Sequence, residues 1–133
     1  MMFLCLAHEA EEALNALSSD EWAALRQETL TYVDTLRASG RLIDTRPLQS
    51  ATTATIVRVR DGRVSTTDGP FVETKEQIGG YFLIDVSDHD EALRVAAAWP
   101  SARLGSIEVR PIENGLNEQS RYPSGRLATA YGS

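Results

Sequence analysis

Seven side chains in this sequence have the types and spacing for acid–base or binding chemistry. Six of them fall in one stretch, TTDGPFVETKEQIGGYFLIDV, residues 66–86. Glu73 and Lys75 share a side if that chain is extended, and Glu73 and Glu76 share one if it turns helically. Such a set edges a pocket in which Lys75 holds an anionic group and a glutamate, its pKa raised by partial burial, moves a proton. Asp68 and Phe71 flank the turn that opens the stretch, and Tyr81 either joins the core or offers its hydroxyl to the same pocket. The seventh residue, His8, ends the first apolar run, where an imidazole looks into the cleft between sheet and helix. The catalytic candidates are therefore Glu73, Glu76 and His8. The ligand-binding candidates are Asp68, Phe71, Glu73, Lys75, Glu76 and Tyr81.

The plainer alternative is a solvated charged loop, whose ion pairs are each worth well under ~1 kcal/mol. In that reading Asp68-Gly69-Pro70 is only a turn, Gly79-Gly80 marks a bulge, and Phe71 plugs the core beneath. One compositional fact favours a site: of 13 basic residues Lys75 is the only lysine. No His/Cys/Asp/Glu set has metal-ligand spacing, and no Walker or dinucleotide fingerprint occurs, so neither a metal nor another cofactor is expected. His89, in the first turn of a helix, reads as surface, and Cys5, inside an apolar run, as a buried structural thiol.

The 133 residues suit one domain with one core. A net charge of −6, with scattered arginines and no basic stripe, argues against nucleic acid as a partner. No apolar run is long enough to span a membrane, and the start MMFLCLAHEAEE lacks the basic flank of a signal peptide, so a cytoplasmic protein is expected.

The elements that must position these residues follow from pattern. Residues 2–7, MFLCLA, read as a buried strand, and HEAEEALNAL holds a helical turn or two. Ser18 and Glu21 form a capping box for a helix whose inner face is Trp22, Leu25, Thr29, Tyr32, Val33 and Leu36, stopped by Gly40. RLIDTRPL is a short strand. Ile56–Arg60 and Arg63–Thr67 form a hairpin around Asp61-Gly62. GGYFLIDV is apolar on both faces and hence central. A second helix is capped by Asp88 and Glu91, with Ala92, Val95, Ala96 and Trp99 inward, and GSIEVRPI is the last strand. The fold class is α+β: a ferredoxin-like βαββαβ unit with an inserted β-hairpin and an antiparallel sheet. Two helices cover one sheet face only, so the other should meet a second copy, giving a homodimer built as a dimeric α+β barrel. The domain covers residues 1–112; residues 113–133 read as a polar tail, disordered or packed on a partner subunit.

DGPFVETKEQIGGYFLIDV closely resembles the signature of the DGPF branch of the YCII-related family, and the flanking segments resemble that family's in order. The resemblance implies the same barrel fold; some relatives act on small aromatic or chlorinated molecules, and some DGPF members occur beside sigma factors. It also implies a His-Asp dyad on the long helix, but those positions hold Glu28 and Ala38 here, so the dyad is absent. Three readings follow: a small-molecule binder with its cleft edged by residues 68–81, a cofactor-free lyase or isomerase working by proton transfer, and a sigma-factor-associated interaction module.

Overall fold

The computed structural model describes residues 1–113. Six strands and three α-helices occur there: β1 (Met2–Ala10), α1 (Glu11–Asn15), α2 (Ser19–Ala38), β2 (Leu42–Pro47), β3 (Thr55–Arg60), β4 (Arg63–Asp68), β5 (Glu76–Asp85), α3 (His89–Ala97) and β6 (Gly105–Pro111). Four strands form an antiparallel sheet in the order β2-β5-β1-β6, and β3-β4 form a separate two-stranded sheet. This is the expected ferredoxin-like α+β unit with its inserted hairpin. No helix among the described residues is long and apolar enough to cross a membrane. The expected tail, beyond Glu113, lies outside the described residues.

Local chemistry accounts for the elements. Ser18 Oγ accepts from Glu21 N–H at 3.1 Å while Glu21 accepts from Ser18 N–H at 2.9 Å, the predicted capping box. Gly40 (φ +75°) ends α2, and Asp61 (φ 52°) with Gly62 (φ 74°) makes the β3-β4 turn. Alternate residues of the central strands, Phe3 and Cys5 on β1 and Phe82 and Ile84 on β5, are buried beneath the helices. Phe82 stacks on Trp99 at 4.0 Å between ring centroids, and Val33 and Leu36 of α2 close the same core.

Three expectations are corrected. Strand β1 runs to Ala10, three residues beyond the apolar run, so His8 lies within it; pairing with both neighbours carries the polar residues along. Trp22, expected on the inner face of α2, is exposed, because only the C-terminal half of that helix lies over the sheet. Phe71 is 74% exposed rather than a core plug; it lies beside Arg58, whose guanidinium carbon is 5.9 Å from the ring centroid.

Two irregularities decide what the open sheet face carries. On β5, Gly79 has no partner, since Ala7 pairs with Gly80 and His8 with Ile78. On β2, Ile43 is the extra residue between Leu42, opposite Ile84, and Asp44, opposite Leu83. Each bulge reverses the alternation beyond it. Glu76 and Ile78, and Asp44 and Arg46, are thereby placed on the face away from the helices.

Candidate functional site

The structure does not bring the seven predicted residues together. Asp68, Glu73 and Lys75 line a cleft of about 510 Å³ with Glu11 and Glu12 of α1 and Thr52. Phe71 is outside it. His8, Glu76 and Tyr81 stand on the open sheet face and do not line that cleft, which is edged by residues 68–77 of the expected 68–81.

Much of the 68–77 loop is tied by its own backbone. Gly69 (φ +105°) donates to Ala54 O at 2.7 Å, and Gln77 Nε2 donates to Val72 O at 2.6 Å and to Thr74 O at 3.1 Å. Glu11 is engaged as well, accepting from Ala51 N–H at 2.8 Å and from Ser50 Oγ at 3.0 Å. Lys75 makes no hydrogen bond or ion pair among the described residues, yet four carboxylates line the cleft with this one ammonium. That balance repels an anionic ligand more than it attracts one.

The open face is better organised. Across the four strands, Arg46, Tyr81, Leu6 and Glu108 form one row, and Asp44, Leu83, Leu4 and Arg110 the next. Ile78, His8 and Ser106 form a third. Half-buried Leu4, Leu6 and Leu83 therefore make an apolar floor between two polar margins. On the β6 margin His8 Nε2 lies 2.8 Å from Glu108 Oε1, and Ser106 Oγ donates to Glu76 Oε1 at 2.9 Å. On the β2 margin Tyr81 donates its hydroxyl to Asp44 Oδ2 at 2.7 Å, and Arg46 Nη1 lies 3.1 Å from Asp44 Oδ1. The bond from Tyr81 holds the Asp44 carboxyl below its ordinary range, with Arg46 adding to the effect. The same bond raises Tyr81, so a neutral phenol faces an ionised carboxylate.

The chemistry of the β6 margin follows from the imidazole. In the neutral tautomer that donates Nε2–H to the Glu108 carboxylate, Nδ1 is an acceptor, and it carries no hydrogen bond among the described residues. A base whose far nitrogen is held by a carboxylate keeps one tautomer and one orientation.

Sequence reasoning missed Glu108, Asp44, Arg46 and Ser106. Glu108 was legible: in GSIEVRP it alternates with Ile107 and Val109, and so points away from the core they join. Asp44 was not, because its side depends on the Ile43 bulge. The helix positions where the resemblance places a dyad are otherwise occupied. Glu28 is clamped by Arg103 in a two-pronged ion pair of 2.7 and 2.8 Å, and Ala38 has no ionisable group. Among the described residues no group of His, Cys, Asp and Glu could hold a metal ion.

Comparison with known proteins places the chain. Residues 1–114 match the YCII-related domain. The chain is 33% identical over 114 residues to an uncharacterized protein, R00369, of Rhizobium meliloti (strain 1021), covering 84% of this chain and 92% of that one. Its fold is similar to that of 5-chloro-2-hydroxyhydroquinone dehydrochlorinase (TftG) from Burkholderia phenoliruptrix AC1100, solved in complex with 2,5-dihydroxybenzoquinone. The TM-score is 0.52 at 19% identity, over 86% of this chain and 96% of that one.

Proposed function

The chain belongs to the YCII-related domain family, and from that premise we propose that it binds a small cyclic molecule on the open sheet face and exchanges a proton with it at His8. The observation that carries this reading is the 2.8 Å contact between His8 Nε2 and Glu108 Oε1 beside a floor of leucines. His8 Nδ1 accepts a proton from a ligand hydroxyl, and Glu108 stabilises the imidazolium that results. The proton then returns from Nδ1 to the ligand or to water, so the cycle needs only this chain's side chains. In this reading the work of the dyad missing from α2 falls to β1 and β6. The fold shared with TftG supports the choice of hydroxylated rings as first probes.

A second copy of this chain, in the cytoplasm, completes the reading. Leu4, Leu6 and Leu83 face away from their own helices, and a second sheet laid face to face would roof the floor and exclude water. The DGPF sequence at residues 68–71 supports the DGPF branch of the family as part of this reading. A binding role for the cleft edged by residues 68–77 is a second reading, favoured by the ammonium of Lys75, which has no partner among the described residues.

The test is proton NMR in deuterated water with hydroxylated benzenes and 2,5-dihydroxybenzoquinone. Loss of the hydroxyl proton to Nδ1, addition of a deuteron to the neighbouring ring carbon and loss of that carbon's proton leave the molecule unchanged but labelled. Wild type should accelerate the labelling and His8→Gln should not. Equal rates in the two proteins would overturn the proposal.

A further inference from the structure

The inserted β3-β4 hairpin turns its apolar face away from its own chain. Val59 stands opposite Val64 and Val57 opposite Thr66, so these four share one face of the ribbon. Arg58, opposite Ser65, and Arg60, opposite Arg63, share the other with Ile56. The arginine face is the one covered by the rest of the chain: Ile56 and Arg58 are half-buried, and the Arg58 guanidinium lies over the Phe71 ring. The valines point outward, with Val57 62%, Val59 57% and Val64 70% exposed. A half-buried antiparallel ribbon ordinarily does the reverse, apolar side in and polar side out.

A two-stranded ribbon is marginal in water by itself, and every residue of β4 is exposed. Contiguous valines on such a ribbon mark a contact surface, and charge limits what meets it. The hairpin's arginines lie on the opposite face, so the valine face selects no acidic partner. Its one charged residue, Asp68, stands at the far end opposite Thr55. A patch that meets its own copy across a twofold axis needs an uncharged centre, because a charge there would oppose itself. Val57, Val59, Val64 and Thr66 supply that centre.

Area points to the same partner. A stable dimer buries about 800 Å² on each copy. The four-stranded face, about 19 Å across and seven residues deep, covers roughly 450 Å². The six-residue ribbon adds roughly 200 Å², more than half of the shortfall. Resting on the second-copy reading above, we infer that the valine faces of two hairpins meet across the twofold axis of the dimer and clasp the copies beside the sheet-to-sheet contact.

The test is sedimentation velocity of the full chain over a micromolar concentration series. Wild type should sediment as a dimer. Val59→Lys, which sets an ammonium against the partner's valines, should raise the dissociation constant at least tenfold with an unchanged far-ultraviolet spectrum. Ser65→Lys, the same charge on the arginine face, should leave the constant within about twofold. A short bis-maleimide should join Val59→Cys into covalent dimers and not Ser65→Cys, the native Cys5 being buried; this comparison decides even where a lysine disturbs the hairpin. A dimer that Val59→Lys weakens no more than Ser65→Lys does, or that cross-links equally at both cysteines, would overturn the clasp and leave the sheet-to-sheet contact standing. A folded wild-type monomer would overturn both and leave the valine face to a different protein.

Discussion

Gly105 opens β6 opposite Glu9, where two strands approach too closely for any side chain. A Cβ built there would lie 2.2 Å from His8 O, 3.2 Å from His8 C and 3.3 Å from Glu9 Cα, all backbone atoms. An ordinary contact begins near 3.4 Å, so in Gly105→Ala the start of β6 must retreat from β1 by about 1 Å. Overpacking of this kind costs about 3 kcal/mol, which for a chain of this size lowers Tm by roughly 10 °C. The retreat also widens the 2.8 Å contact of His8 with Glu108, three residues along the displaced strand. Gly40→Ala is the control: its φ of +75° strains an alanine, but nothing lies within 4 Å. It should cost about 1 kcal/mol and leave the open face intact. Circular-dichroism melts of both variants, with ring-exchange rates at a temperature where both are folded, read the two effects. If Gly105→Ala melts no lower than Gly40→Ala, or keeps the wild-type exchange rate, the coupling drawn between the β1-β6 approach and His8 is refuted.

Burial pushes the Cys5 thiol up to about 12, so the folded chain should resist iodoacetamide at pH 8 and react only as denaturant unfolds it; fast alkylation of native protein would contradict the core placement. Burial, with Glu11 adding to it, also raises the Glu9 carboxyl, so its contribution is full below the unfolded pKa of about 4.3 and is lost as pH rises through the folded value. Glu9→Gln should therefore raise Tm at pH 7, with the gain vanishing at pH 4; a gain equal at both would show that charge is not the cause. Leu83→Asp, placing a charge on the apolar floor, should convert a dimer in light scattering to monomer or aggregate, and a wild type that is monomeric at micromolar concentration would remove the roof from the proposed site. Lys75→Ala should leave Tm within about 1 °C, because an exposed, unpaired ammonium adds little to stability; a thermal shift by an acidic ligand in wild type but not in the variant would move the binding site to the cleft.

Residues near one another in sequence settled a large part of this protein. The Ser18–Glu21 box, the Asp61-Gly62 turn and the apolar runs of β1 and β5 act within a few residues, so helix, hairpin and central strands were legible directly. The antiparallel order followed, because two helices and four strands in this sequence of elements leave few ways to bury one core. That residues 66–86 concentrate groups with the types for binding or proton transfer was legible too, but which of them come together was not. Gly79 and Ile43 each insert one unpaired residue, and a slip of one residue in a strand of period two transfers every later side chain to the other face. Sequence alternation alone leaves Glu76 with Gly80 and Asp44 with Leu42, on the helix side. Gly79-Gly80 hinted at one bulge, but the inserted residue there and the bulge at Ile43 show only once the strands are paired; together they bring Asp44 to Tyr81 and set Glu76 near Ser106. His8 and Glu108, a hundred residues apart, meet at 2.8 Å because β6 returns antiparallel beside β1. Short-range chemistry chose the elements; the register of the strands chose which side chains meet on the open face.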